Sequence, residues 1–105
     1  MSKHILFLLI TFLPTLVAAE TCVDGYEGQL NDKGQPHGLG RKTEVIVRGG
    51  DACLTYTGNF EDGVKHGFGR FEQSGGIFGE GDFVGDELIK GVINFPSGGS
   101  YTGEF

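Results

Sequence analysis

The five-residue phrase Tyr56-Thr-Gly-Asn-Phe60 returns as Tyr101-Thr-Gly-Glu-Phe105, and looser copies stand at Tyr26-Glu-Gly-Gln-Leu30 and Gly79-Glu-Gly-Asp-Phe83. Units therefore start near 26, 56, 79 and 101, with spacings of 30, 23 and 22 residues. A repeat of this period constrains the fold more than any local propensity. Each unit is too small to bury its own apolar face and must stack on the next. A second element, His37-Gly-Leu-Gly40 and His66-Gly-Phe-Gly69, is echoed faintly by Lys90-Gly-Val-Ile93. Glycine turns, Ser74-Gly75-Gly76 and Ser97-Gly98-Gly99, close the units.

Residues two apart on a strand share a face. Tyr56, Gly58 and Phe60 then point one way, and Gly67, Gly69 and Phe71 share a face on the returning strand. Asp62-Gly63 between them signals a tight hairpin, because that turn needs positive φ. The 20 glycines of the chain would suggest disorder if unpatterned. Placed at alternate positions, they leave bare backbone over which an aromatic ring from a neighbouring strand can lie. The expected fold is all-β, an elongated single-layer antiparallel meander of seven or eight strands. No stretch after residue 20 carries the apolar period of a helix. The β-branched run Val45-Ile46-Val47 lies in an insertion that is expected to lengthen the first returning strand as an extra buried strand pair.

The copy from Tyr56 to Phe71 (YTGNFEDGVKHGFGRF) resembles the MORN repeat, a unit of about 23 residues. The pattern of aromatic-x-Gly-x-aromatic, Asp-Gly turn, basic residue and His-Gly-x-Gly is met by Tyr56, Gly58, Phe60, Asp62, Gly63, Lys65, His66, Gly67 and Gly69. The resemblance spans residues 26–105: one near-consensus unit, two divergent units and a terminal half unit. In the third unit Gly79 stands for the leading aromatic and Lys90 for the His. The resemblance implies a stack of β-hairpins that serves as an adaptor or scaffold. It also implies that the aromatic face of Tyr26, Tyr56, Phe60, Phe83 and Tyr101 is a partner-binding surface, although any one ring on such a sheet is more often core than contact.

Residues 1–19 read as a cleaved export signal, followed by a repeat domain over 20–105. Lys3 and His4 open it, Ile5 to Leu13 form an apolar run of nine, and Val17-Ala18-Ala19 places small residues before Glu20. A spanning helix needs roughly 20 apolar residues. The destination is expected to be secreted or periplasmic. Lys3 is the sole Lys, Arg, Asp or Glu in that segment, so the remainder carries a net charge of −7 against −6 for the whole chain. Nucleic acid and anionic membrane are both bound chiefly through Lys and Arg, and this acidic balance weighs against either as a partner.

Cys22 and Cys53 are the two cysteines. In an exported chain they are expected to pair, closing a loop of about 31 residues. The pairing meets a geometric tension. The cysteines precede equivalent aromatics, Tyr26 and Tyr56, which a regular stack separates by two strands, roughly 10 Å, while a disulfide needs Cα atoms within about 7 Å. Either the N-terminal segment folds across the sheet as a cap, or the bridge is intermolecular.

The residues give no constellation for catalysis, and no cofactor is implied. Ser74, Ser97 and Ser100 sit in glycine-rich turns with no His or acid spaced as a partner. Glu61-Asp62 and Asp86-Glu87 fall at turns, where solvated acids are ordinary. His37 and His66 occupy equivalent places about one repeat apart, too far for a shared metal, and are expected to cap turns or to pack on neighbours. Neither phosphate-binding glycine motif is present. The expected role is a non-catalytic interaction or scaffold module. The partner would be an unspecified protein or a second copy, weakly held through the C-terminal edge strand. The alternatives are lipid head-group binding or the front end of a larger MORN-containing enzyme.

Overall fold

The computed structural model describes residues 22–47, 49 and 52–105; the expected export signal, 1–19, lies outside them. Seven strands follow one another: β1 (Gly25–Leu30), β2 (Pro36–Val47), β3 (Ala52–Glu61), β4 (Val64–Gln73), β5 (Ile77–Val84), β6 (Glu87–Asn94) and β7 (Ser100–Glu104). They form one sheet in sequence order, each strand antiparallel to the next. The protein is the all-β, single-layer meander that the repeat dictates, with no helix among the described residues.

The register shows how one layer holds together. Gly28 pairs with Gly40, Gly40 with Gly58, Gly58 with Gly69, Gly69 with Gly81, Gly81 with Gly91 and Gly91 with Gly103. One glycine from every strand thus lies in a single row across the sheet. Rings lie over this bare strip: a Cβ built on Gly40 would meet the Tyr26 ring and one on Gly69 the Tyr56 ring. The row beside it runs Tyr26, Lys42, Tyr56, Phe71, Gly79, Ile93 and Tyr101, so the rings stand next to the glycines they cover. Along β5 the alternation is complete, with Gly79, Gly81 and Phe83 buried while Phe78, Glu80, Asp82 and Val84 are exposed.

Each tyrosine is locked in the same way. The pairing register slips between Gly58 and Phe60, which leaves Asn59 without a partner on β4, and the Tyr56 hydroxyl donates to the Asn59 carbonyl at 2.8 Å. Tyr26 donates likewise to the Gln29 carbonyl at 2.6 Å, beside the slip between Gly28 and Leu30. Tyr101 donates to the Glu104 carbonyl at 2.9 Å. The intervening glycine lets the phenol run along its own strand to reach a carbonyl three residues on.

The hairpin tips are as expected. Asp62 and Gly63 both have positive φ, 48° and 95°, as do Gly85 and Asp86, 55° and 76°, the backbone of a type I′ turn. Tips also dock onto the preceding unit. Gly63 N–H donates to the Pro36 carbonyl at 2.8 Å, and Asp86 N–H to the Lys65 carbonyl at 3.1 Å. In return Lys65 N–H donates to the Asp86 carboxylate at 2.9 Å.

Two expectations change in detail. β2 is indeed the longest strand, and Val45 and Val47 pair with Cys53 and Ala52. The extension is not buried, however, since Ile46 and Val47 are each 46% exposed. A lengthened hairpin overhangs its neighbours and finds no ring to cover it. The second change concerns Gly91, which sits in the glycine row opposite Gly81 and so takes the place of Gly40 and Gly69. The likeness of Lys90-Gly91 to His66-Gly67 is two residues out of register, and Lys90 does not stand where His66 does.

Candidate functional site

The aromatic face divides into a core and a groove. Tyr56, Phe60 and Phe83 are 1%, 3% and 6% exposed. Tyr56 meets Phe60 edge-on at 5.1 Å and Phe83 at 4.8 Å between ring centres, and Tyr26 meets Phe60 at 5.2 Å. Such pairs contribute about 0.5–1.5 kcal/mol each beyond the area they bury. Of the five aromatics read as a binding face, four are thus brought together, and three of them serve as packing. Tyr101 stands apart, 45% exposed, against Phe105 at 5.0 Å.

Beside this core lies an apolar cavity of about 230 Å³, lined by Leu54, Tyr56, Lys65, Phe71, Gln73, Phe83, Asp86, Leu88 and Ile93. It opens where Gly79 takes the place of a leading aromatic, between Phe71 and Ile93 in the cross-sheet row. Lys65 is buried at 6% exposure. Its ammonium lies 2.9 Å from the Glu44 carboxylate and 5.7 Å from the centre of the Tyr56 ring. A charge so placed is tolerable only when paired, and Glu44 on β2 and the π-face of Tyr56 both supply that compensation. Tyr56 itself is pushed up from the usual 10 to about 12, first by burial and then by the negative charge of Asp86.

Sequence reasoning placed Lys65, Phe71 and Ile93 in the repeat without assigning them to a site, and it did not mark Glu44, Leu54 or Leu88. Lys65 entered as the basic residue of the repeat pattern, with no sign of burial. The signal for it was strand alternation: Lys65 pairs with Phe60 across the hairpin and so belongs to the ring-bearing face. Glu44 carries no such mark, because its meeting with Lys65 depends on stacking two units.

Cys22 and Cys53 form an intramolecular disulfide with Cα atoms 6.3 Å apart. Cys53 pairs with Val45 of β2, and β2 separates β1 from β3. The short distance therefore means that residues 22–24 leave the line of β1 and pass over β2, which is the cap the geometric tension required. The Asp24 carboxylate secures this segment by accepting the Val45 N–H at 2.8 Å. The Cys53 N–H donates to the Ser74 hydroxyl at 2.9 Å, and the Ser74 N–H to the Cys53 carbonyl at 2.9 Å. The bridge thus ties the N-terminal segment to the shared end of the third and fourth strands.

His37 caps a turn. Its Nδ1 accepts the Asp62 N–H at 3.1 Å and lies 3.5 Å from the Asp62 carboxylate. No group of three or more His, Cys, Asp and Glu side chains gathers to hold a metal among the described residues. The opposite face is solvated and mixed, with Leu39, Phe68, Phe78 and Val84 exposed on it and Arg70 3.6 Å from Glu80 and 5.6 Å from the centre of the Phe78 ring. No protein-family model matches the chain, and no curated protein is significantly similar to it.

Proposed function

We propose that this chain is an exported, non-catalytic module of MORN-type repeats that holds a protein partner. The observation that carries the reading is the groove beside the aromatic core. It is an apolar slot with a few fixed polar groups, Lys65, Asp86 and Gln73, on a sheet whose register is set by hydrogen bonds, rings and a disulfide. Ligand-binding sites in general have this character, apolar walls with a small number of convergent polar groups. A volume of about 230 Å³ suits one or two apolar side chains of a partner. The tyrosine-over-glycine lock, repeated at Tyr26, Tyr56 and Tyr101, supports the repeat reading. The disulfide fits an oxidising compartment, and with the apolar start of the chain it supports secretion or a periplasmic home. The net charge of −6 favours a protein over an anionic lipid surface as the partner.

The test is affinity capture from the native compartment, read by mass spectrometry, with wild type beside Ile93→Lys and Phe68→Ala. Ile93 lines the groove and Phe68 is exposed on the opposite face. Ile93→Lys is expected to keep the β-sheet circular dichroism and lose the captured protein, while Phe68→Ala keeps both. Equal capture by all three would remove the groove as the binding site. Co-flotation with acidic liposomes at low salt would replace the protein partner with a lipid one.

A further inference from the structure

We propose that the groove beside Gly79 is the seat of a tyrosine side chain supplied by the protein partner. The inference rests on the interaction-module reading and names the side chain that the groove takes. It comes from the unit in which the repeat omits its leading ring. In the first two units a tyrosine heads the strand and lies over a glycine of the next strand on, or of its hairpin partner: Tyr26 over Gly40 and Tyr56 over Gly69. In the third unit Gly79 heads the strand, and Gly91 holds the place of Gly40 and Gly69. The atoms nearest to a Cβ on Gly91 are backbone of β5, not a ring. Phe71 and Ile93, on either side of Gly79 in the cross-sheet row, wall the cavity of about 230 Å³, with Phe83 and Leu88 further along β5 and β6. The chain cannot fill this seat from its own backbone. A Cβ on Gly79 would meet the Val92 carbonyl and the Phe71 ring, so the ring must come from another molecule.

Size and charge select that ring. An apolar cavity of about 150 Å³ takes benzene, so the larger volume here takes a ring with a substituent. Lys65 is already matched by Glu44, whereas among the described residues no Lys, Arg or His forms an ion pair with Asp86. The Asp86 carboxylate accepts the Lys65 N–H at 2.9 Å and has further lone pairs to offer. A hydrogen-bond donor therefore suits that end of the groove. A cationic donor would stand near the Lys65 ammonium. An anion would face Asp86, in a place where burial, and after it the charge of Asp86, already pushes the Tyr56 phenol up to about 12. A neutral ring with a hydroxyl at its far end meets both conditions. Direction agrees as well. Tyr26 and Tyr56 send their hydroxyls along the strand towards the hairpin tip, to the carbonyls of Gln29 and Asn59. The same direction from Gly79 leads to the Gly85-Asp86 tip.

Amide shifts of the oxidised, isotope-labelled protein titrated with p-cresol test the idea, because p-cresol is the tyrosine side chain without its backbone. The titration is run near pH 7, where the phenol is neutral. Toluene supplies the ring without the hydroxyl, and 4-methylbenzoate the ring with an anion. p-Cresol is expected to give saturable shifts at Phe71, Phe83, Leu88 and Ile93, and none at Phe68 on the opposite face. Toluene should bind about tenfold more weakly, the loss of one hydrogen bond to a charged group, and 4-methylbenzoate more weakly still. Asp86→Asn keeps an oxygen for the Lys65 N–H and a residue type that tolerates the positive φ at this position. It should raise the affinity for 4-methylbenzoate by about tenfold. Ile93→Lys should abolish binding of all three while the amide spectrum stays dispersed. Scattered or unsaturable shifts with p-cresol would overturn the proposal. So would toluene or 4-methylbenzoate binding as tightly as p-cresol, or Asp86→Asn discriminating among the three as wild type does. Partner capture that is lost in Ile93→Lys, while p-cresol fails to bind wild type, would leave the interaction-module reading standing as this inference falls.

Discussion

Tyr56 shows how much one residue carries. Its ring covers Gly69, its edge contacts join Phe60 to Phe83, its π-face receives the Lys65 ammonium, and its hydroxyl closes on the Asn59 carbonyl. Burial holds the phenol neutral up to about pH 12, whereas the unfolded chain releases that proton near the usual 10. A folded-state pKa raised in this way contributes stability that is complete below about pH 10 and is lost as pH climbs towards about 12. The urea midpoint of the wild type should fall through that window, and the fall should be shallower in Tyr56→Phe, which has no proton to lose. Matching slopes for the two proteins would show that the phenol does not carry the alkaline limit. This residue was prominent in the sequence as the head of the best repeat. The burial of its neighbour Lys65 was not legible there, because burial of a cation is decided by a partner, Glu44, that lies 21 positions away.

At the scale of the strand, the glycine row sets the distance at which neighbours meet and keeps the strip open for rings. A methyl group at Gly69 would collide with the Tyr56 ring, while one at Gly99 meets nothing within 4 Å. Gly69→Ala is therefore expected to cost about 2–3 kcal/mol by overpacking, and Gly99→Ala to stay within about 0.5 kcal/mol of wild type, both read by urea unfolding. Comparable losses at the two positions would mean that backbone entropy, not the ring contact, selects glycine here. The Asp62-Gly63 turn and the shared face of Tyr56, Gly58 and Phe60 were legible because alternation and positive φ are local properties. The place of Gly91 was not, since one residue fewer separates it from Gly81 than separates Gly69 from Gly58, and only hydrogen-bonded pairing reveals which glycine faces which.

Across the whole molecule, every strand touches its sequence neighbours, and long-range closure falls to a single covalent link. The Cys22–Cys53 bridge spans 31 residues, which in the chain-entropy model is worth roughly 3–4 kcal/mol. A domain of this size commonly has a net stability of only about 5 kcal/mol. Replacing both cysteines by serine should therefore bring the protein close to unfolding at 37 °C and lower its urea midpoint by more than half. An unchanged midpoint would show that hairpin stacking suffices without the bridge.

By itself the sequence determined the architecture. A phrase repeated about every 23 residues, glycine at alternate positions and Asp-Gly at a tip leave a stack of hairpins as the one arrangement in which rings and bare backbone meet. Those are constraints between residues close in the chain, and periodicity states them directly. Three matters were decided only by tertiary structure. They are which aromatics become core and which line a groove, the pairing of Lys65 with Glu44, and the passage of residues 22–24 over β2 that lets Cys22 reach Cys53. Each depends on how far one unit is displaced and twisted against the next, and a displacement between units leaves no mark in the periodicity that encodes the units themselves.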